Sequence, residues 1–411
     1  MKGGMYMAIF YGVRKKRSRG YRAICGCFII GALLCVLWNK KDCFYAEQSL
    51  NMYSGSYALT DGNTGRVLKS KEATNPMANA STTKILTCIV TLEKCNLEEI
   101  VTVSSYAASQ PRVKMGIKQN EQYLLKDMVY GLMLESYNDC AVAIAEHVAG
   151  SVEGFAKLLN EKAKEIGCKD TYFITPNGLD AEDENGVHHT TAEDLCRMMA
   201  YCTWESPMKE VFLQITQTRN YNDFVNRNAF LNQMDGVLTG KTGFTNKAGY
   251  CYVAAMEVNG ERYCIALLAC GWPNNKNYKW KDARTLLEYG IETYDIKRVH
   301  VKPFEEKIKV EGIVESPKFL NLNKEDVLKL NAEENEYQLL MAENEKLKTE
   351  IVLFTDTKLP IKKGQVMGQC NLYLEDTFVD SIPLTAKEMV NIWGWKAVFY
   401  TIFYQFLTFS L

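Results

Sequence analysis

The chain has 411 residues, enough for two domains with their own cores, and 47% of them are hydrophobic. Its 48 basic and 49 acidic residues leave a formal net charge of -1, a balance that gives no basis for a nucleic-acid partner. The charge is unevenly placed. Residues 1–22 carry Lys2, Arg14, Lys15, Lys16, Arg17, Arg19 and Arg22 with no acidic residue, and an apolar run follows from Ala23 to Trp38. A basic stretch before an apolar one reads as an export signal, with the positive end kept inside. Residues 1–46 are therefore expected to be a leader. It is either cut after Ala46 or retained as a signal anchor, with lipid modification of Cys35 as a third option.

The elements after the leader follow from periodicity. Tyr57 to Leu68 alternates around Asp61-Gly62-Asn63-Thr64-Gly65 and predicts a β-hairpin. Thr82 to Cys95 has helical spacing at Ile85, Cys88, Ile89 and Leu92. A second helical stripe runs over Leu124–Tyr130 and Leu132–Leu134, and Ser136-Tyr137-Asn138 interrupts it. Helices are predicted over Asp139–Val148, over Val152–Ile166 with Gly167 as C-cap, and from Thr191 with Thr190 or Thr191 as cap. After Gly236 the period becomes that of strands. Gly249 to Met256 and Arg262 to Ala269 flank Asn259-Gly260, a strong hairpin signal. Trp280 to Tyr289 predicts a last helix, stopped at Gly290. The expectation for residues 47–296 is a mixed α/β (α+β) domain: an antiparallel sheet with its first and last strands adjacent, covered by helices.

Residues 297–384 are rich in Val, Ile and Lys in short alternating runs, with turns expected at Lys363-Gly364-Gln365 and Val366-Met367-Gly368. They predict a small, β-sandwich-like domain. Asn331 to Lys348 contains strong helix formers, but its β surroundings favour strands. Residues 385–411 differ again. No charged residue follows Lys396, and Trp393, Trp395, Phe399, Tyr400, Phe403, Tyr404, Phe406 and Phe409 crowd together. This segment is expected to lie at a membrane surface, with a short span or packing on the β domain as alternatives.

Fourteen cysteines in an exported chain suggest disulfides. Most of them sit inside apolar runs, however, such as Thr87-Cys88-Ile89-Val90, where they read as small core hydrophobes. No C-x-x-C pair is present, and no metal or cofactor is expected. The histidine pair His188-His189, beside Asp180, Asp183 and Glu184, reads as loop structure before it reads as a metal site, and His147 is assigned no special role.

Three short motifs carry chemistry. Ser81 and Lys84 are three apart at a helix start, so they share a face and the amine can reach the hydroxyl. A serine needs a base, and a lysine serves only if burial or nearby positive charge lowers its pKa. Ser136 and Asn138 flank Tyr137, so both polar tips can point one way. Lys241-Thr242-Gly243 lies on an expected strand, with Gly243 leaving room for a ligand backbone and Lys241, Thr242 and Thr245 suited to a carboxylate. Each motif alone is weak. Their order and setting, 55 residues from Ser81 to Ser136 and 105 more to Lys241, strengthen them together.

In these residues the sequence resembles the low-molecular-mass penicillin-binding proteins of the serine D-alanyl-D-alanine carboxypeptidase type. The resemblance spans roughly residues 47 to 383 and includes Asn75 to Lys84, Thr175-Pro176-Asn177-Gly178-Leu179-Asp180, His189 to Leu195, and Lys241 to Thr245 with Ala248-Gly249-Tyr250. It implies a penicilloyl-serine transferase or β-lactamase-like catalytic fold. It also implies Ser81 as acyl-enzyme nucleophile, Lys84 as general base, Ser136 as proton relay, and Asn138 and Lys241 as catalytic partners. The backbone N–H groups of Ser81 and Phe244 would form an oxyanion hole, and Thr242, Gly243 and Thr245 would bind substrate. The implied substrate is the peptidoglycan stem pentapeptide, cut at its last two D-alanines, with β-lactam antibiotics as inhibitors and the outer face of the cytoplasmic membrane as the location. Two departures stand out: the bulky Tyr137, and Trp272 after Gly271, where some relatives carry an arginine. The competing readings are a β-lactamase, a DD-endopeptidase that cuts crosslinks, and a non-catalytic wall-binding protein.

Overall fold

A computed structural model describes residues 50–309, 327–354 and 360–389. The expected leader and the aromatic residues beyond 389 lie outside the described residues. Contacts divide the chain into two compact units that join in sequence between Ile296 and Lys297.

The larger unit is built on a five-stranded antiparallel sheet. Its strands are β1 (Ser56–Asp61), β2 (Val67–Lys71), β3 (Val237–Thr245), β4 (Gly249–Val258) and β5 (Glu261–Leu268), in spatial order β2-β1-β5-β4-β3. The expected adjacency of first and last strands is thus the β1–β5 pair, from Ser56 opposite Leu268 to Asp61 opposite Tyr263. Turn chemistry fixes both hairpins. Asp61 accepts from Asn63 N and Thr64 Oγ1 between β1 and β2. Asn259 and Gly260 both take positive φ, 54° and 85°, between β4 and β5, the conformation a two-residue hairpin turn requires. All six residues of β1 are buried.

Helices cover this sheet: α1 (Lys84–Lys94), α2 (Leu125–Tyr130), α3 (Asn138–Ala149), α4 (Val152–Ile166), α5 (Ala192–Ala200), α6 (Lys209–Gln217) and α7 (Tyr278–Thr293). The caps follow the sequence rules. Ser151 accepts from Gly154 N, Thr191 accepts from Asp194 N, and α4 ends at Gly167 with φ 89°. One stop signal is overridden: α7 continues through Gly290 to Thr293. A Cβ at Gly290 would stand 3.1 Å from the Tyr263 ring and 3.2 Å from Leu59. That glycine serves close packing of the helix on the sheet instead of ending it. The central helix α1 is buried from Lys84 to Leu92 on every face. A helix so enclosed belongs to the core of the unit.

The described residues of the smaller unit are β strands and their connections. Strand β6 (Tyr294–Val301) runs across the boundary into it, and β7 (Phe304–Lys309), β8 (Val327–Ala332), β9 (Asn335–Ala342), β10 (Leu347–Leu353), β11 (Val366–Leu374) and β12 (Thr377–Ala386) follow. Five strands form a sheet in order β7-β8-β12-β11-β10, and β6 pairs with β9. The helix-forming composition of Asn331 to Lys348 yields to alternation, with the side chains of β9 packed against Val299, Leu374 and Val379. Val366-Met367-Gly368 is strand and not the expected turn. The register slips between Val366 and Gly368, and a Cβ on Gly368 would come 2.5 Å from Val352 O, so the glycine permits a bulge with close backbone approach.

The described cysteines are free, and eight of the ten are buried. One buried group ties the start of β1 to the rest of its unit. The Asp282 carboxylate on α7 accepts from Tyr53 N, Ser54 N and Ser54 Oγ at 3.1, 2.7 and 2.5 Å, and from Cys270 Sγ at 3.3 Å. Replacing Asp282 by alanine would leave buried donors unpaired. The expected loss is about 3 kcal/mol, read as a lower denaturant midpoint for the full chain, and an unchanged midpoint would refute the assignment.

Candidate active site

The residues singled out by the motifs meet in the larger unit. Ser81 lies in a 3-10 turn, Ala80–Thr83, that feeds directly into α1, and Lys84 is the first residue of the helix. Two features hold the turn. The Asn79 side-chain amide donates to Thr82 Oγ1 and Thr83 Oγ1, each at 2.9 Å. Ala80 adopts a left-handed φ of 50°, and Gly178 (φ +79°) lies so close that a Cβ there would fall 1.9 Å from Ala80 O. Only glycine fits at 178.

Lys84 is 0% exposed. Its Nζ stands 2.7 Å from Ser81 Oγ, 3.0 Å from Asn138 Oδ1 and 2.7 Å from the backbone oxygen of Asn177. Burial first, and then the positive charge of Lys241, hold its pKa well below the ordinary lysine value. A neutral amine keeps two N–H donors and one lone pair. Two carbonyl oxygens match the donors, and the lone pair is left for the Ser81 hydroxyl proton.

The segment between α2 and α3 sets the second motif. A π-helical turn, Gly131–Glu135, ends at Ser136 in a left-handed conformation (φ 67°). Such turns recur at functional sites. Ser136 Oγ accepts from Lys241 Nζ at 2.8 Å, which joins the second motif to the third. The ring of Tyr137 packs on Gly131 and edge-on to Phe224, with centroids 5.6 Å apart, away from the amines. Asp139 accepts from Cys140 N in the first turn of α3 and also from Met115 N, Gly116 N and Ile117 N at 2.9, 2.7 and 3.3 Å, and so fastens the loop before α2.

The third motif lies on β3, at the edge of the sheet. Lys241 is 3% exposed, and burial lowers its pKa to about 7. A Cβ on Gly243 would stand 2.9 Å from Ser81 N, so the strand backbone passes against the serine. Thr242 is half-buried and Phe244 exposed. Thr245 Oγ1 donates to Asp180 Oδ1 at 3.1 Å and accepts from Ala248 N, so its hydroxyl is already engaged within the protein. Trp272 is exposed and donates its Nε1–H to Asn246 O at 2.8 Å, which seats the indole at the β3–β4 turn.

Sequence reasoning missed two contributors. Asn177 supplies a carbonyl to Lys84, a backbone role that side-chain patterns do not announce. His188 is buried, and that burial drops its pKa to about 3. Its Nδ1 accepts from Ile174 N and Thr175 N, so Nε2 carries the proton and donates to Thr83 Oγ1 at 2.9 Å. A neutral imidazole thus props the turn that holds Ser81. The signal was the histidine pair itself, read as loop structure.

Comparison with known proteins decides the family. A profile described as D-alanyl-D-alanine carboxypeptidase matches residues 44–269, more than half of the chain. The chain belongs to the D-alanyl-D-alanine carboxypeptidase family. It is a serine-type peptidase of the low-molecular-mass penicillin-binding kind, and residues 307–391 match the C-terminal domain of penicillin-binding protein 5. The chain is 29% identical over 343 residues to the D-alanyl-D-alanine carboxypeptidase DacF of Bacillus subtilis, covering 81% of this chain and 85% of the relative. The fold is similar to penicillin-binding protein 5 of Haemophilus influenzae (TM-score 0.63, 24% identity, 84% of this chain and 99% of that one). It is also similar to penicillin-binding protein D2 of Listeria monocytogenes in a cefotaxime-bound form (TM-score 0.53, 25% identity, 59% of this chain and 99% of that one).

The electrostatics of the family site give a pH prediction. Protonated Lys241 depresses Lys84, so removing that charge raises the Lys84 pKa and shrinks its neutral fraction at any given pH. Lys241→Gln should slow acylation by a fluorescent penicillin and move the acidic limb of the pH–rate profile to higher pH. A limb that stays in place or moves to lower pH would contradict the coupling. Lys241 itself titrates lower in the folded chain than its ordinary 10.5. Between about 7 and that value the unfolded chain holds the extra proton, so this group adds stability as pH rises through the window.

Proposed function

We propose that the chain removes the terminal D-alanine from peptidoglycan stem pentapeptides through an acyl-enzyme on Ser81. The observation that carries this reading is the Lys84 amine, buried and 2.7 Å from Ser81 Oγ. Lys84 takes the serine proton as Ser81 Oγ attacks the carbonyl of the penultimate D-alanine. The backbone N–H groups of Ser81 and Phe244 receive the developing oxyanion, a reading supported by the approach of β3 to Ser81. Ser136 hands its proton to the departing amine and takes one from the Lys241 ammonium that donates to it. Collapse releases free D-alanine, and water then cleaves the ester and returns the serine.

Substrate placement follows from the sheet. β3 is an edge strand, so a peptide laid along it is read through backbone hydrogen bonds. Lys241 and Thr242 face the terminal carboxylate, with Asn138 orienting the peptide. Thr245 contributes after its bond to Asp180 is exchanged for one to substrate. Gly243 leaves the space the substrate backbone needs. With Trp272 seated where some relatives place an arginine, the carboxylate depends more heavily on Lys241. β-Lactams acylate the same serine.

The domain reading extends this proposal: a leader over 1–46, the catalytic domain over 47–296, a β domain over 297–384 and a membrane-associating segment over 385–411. It places the enzyme at the outer face of the cytoplasmic membrane. Among the described residues no helix is long and apolar enough to cross a membrane.

Mass spectrometry of the purified chain after penicillin exposure should find one adduct on the peptide that contains Ser81. Ser81→Ala should abolish both the adduct and D-alanine release from a pentapeptide. Release that persists in the variant would sink the mechanism.

A further inference from the structure

Away from the acylation site, Cys95, Glu99 and His147 bring one sulfur, one carboxylate oxygen and one imidazole nitrogen within 4.8 Å of one another. Cys95 is the residue that ends α1, Glu99 closes the turn after it, and His147 lies in the last turn of α3. All three are half-buried, so the donor atoms are anchored yet within reach of water. The carboxylate is already oriented. Asn96 N donates to Glu99 Oε1 at 2.6 Å, and Oε2 lies 2.8 Å from His147 Nε2.

We propose that Cys95, Glu99 and His147 bind one divalent cation of the zinc type, with a fourth position open to water. Thiolate, imidazole and carboxylate are the donors such an ion takes. At metal–ligand lengths of about 2.0–2.3 Å, tetrahedral donors stand roughly 3.3–3.6 Å apart. The His147–Glu99 pair therefore opens by about 0.5 Å and the sulfur closes in, changes within reach of small side-chain rotations. Two helix C-termini, those of α1 and α3, add partial negative charge at this point. On binding, Nε2 gives up the N–H it donates to Glu99 and turns its lone pair to the ion, the neutral imidazole carries its one proton on Nδ1, and the thiol proton is released to solvent.

The placement assigns the ion a structural task. α1 carries Lys84 at its head and α3 carries Asn138 at its head, and the ion ties the tails of the same two helices. No chemistry at Ser81 passes through it.

Cobalt titration of the reduced, metal-free full chain tests this. Co²⁺ should produce a thiolate-to-cobalt charge-transfer band that saturates at one ion per chain and disappears in Cys95→Ser and in His147→Gln. Saturating Zn²⁺ should raise the melting temperature by about 5 °C in the parent chain and leave Cys95→Ser unmoved. The absence of a band overturns the proposal. So does a band that survives both substitutions, since it would come from other thiols.

Discussion

The site rests on keeping one lysine out of water. Lys84 begins a helix that is buried on every face, and its amine meets two carbonyl oxygens and one hydroxyl. A charged ammonium there would lose its hydration without a carboxylate to replace it, because its close partners are neutral. The enclosure therefore favours the free base, and the second buried amine, Lys241, pushes the same way. The state of the Lys84 amine is thus a property of the whole helical layer, since loosening α1 would admit water and restore the ammonium.

The surrounding parts keep that arrangement in register. The neutral imidazole of His188 and the missing side chain of Gly178 let the Pro176–Gly178 turn press against the serine turn. Thr87 adds a bond to Pro176 O at 2.7 Å, so the same turn is fastened to α1 itself. Asp139 secures the opposite wall through three loop amides. Each of these is a short polar contact in a dry setting, where hydrogen bonds are strong and unpaired groups are costly. The serine turn is in this way over-determined, which is how a left-handed alanine can persist next to Ser81.

Much of this was legible in the sequence. Periodicity gave the helices, Asn259-Gly260 gave the late hairpin, and three motifs named the side chains that converge. What stayed hidden was of two kinds. Backbone groups carry no residue-type signature, so the carbonyl of Asn177 could not be read, and the partner of Ser136 depended on which amine the fold brings nearer. Glycine has several uses. Gly290 looked like a helix stop but fits under Tyr263, and Gly368 looked like a turn but permits a bulge. Local rules see the missing side chain, while only the packed structure shows what fills the space.

The cysteines lead to a separate conclusion. Eight of the ten described thiols are sealed inside the two cores, and desolvation there raises those thiols' pKa. A thiol reacts as its thiolate, so oxidants and alkylating agents meet them only when the surrounding structure opens. Each one is then a built-in gauge of how often its own neighbourhood breathes. The rate at which a bulky reagent consumes Cys88 on the central helix, set beside that for Cys370 in the β unit, would rank the two cores by their opening equilibria without any introduced probe.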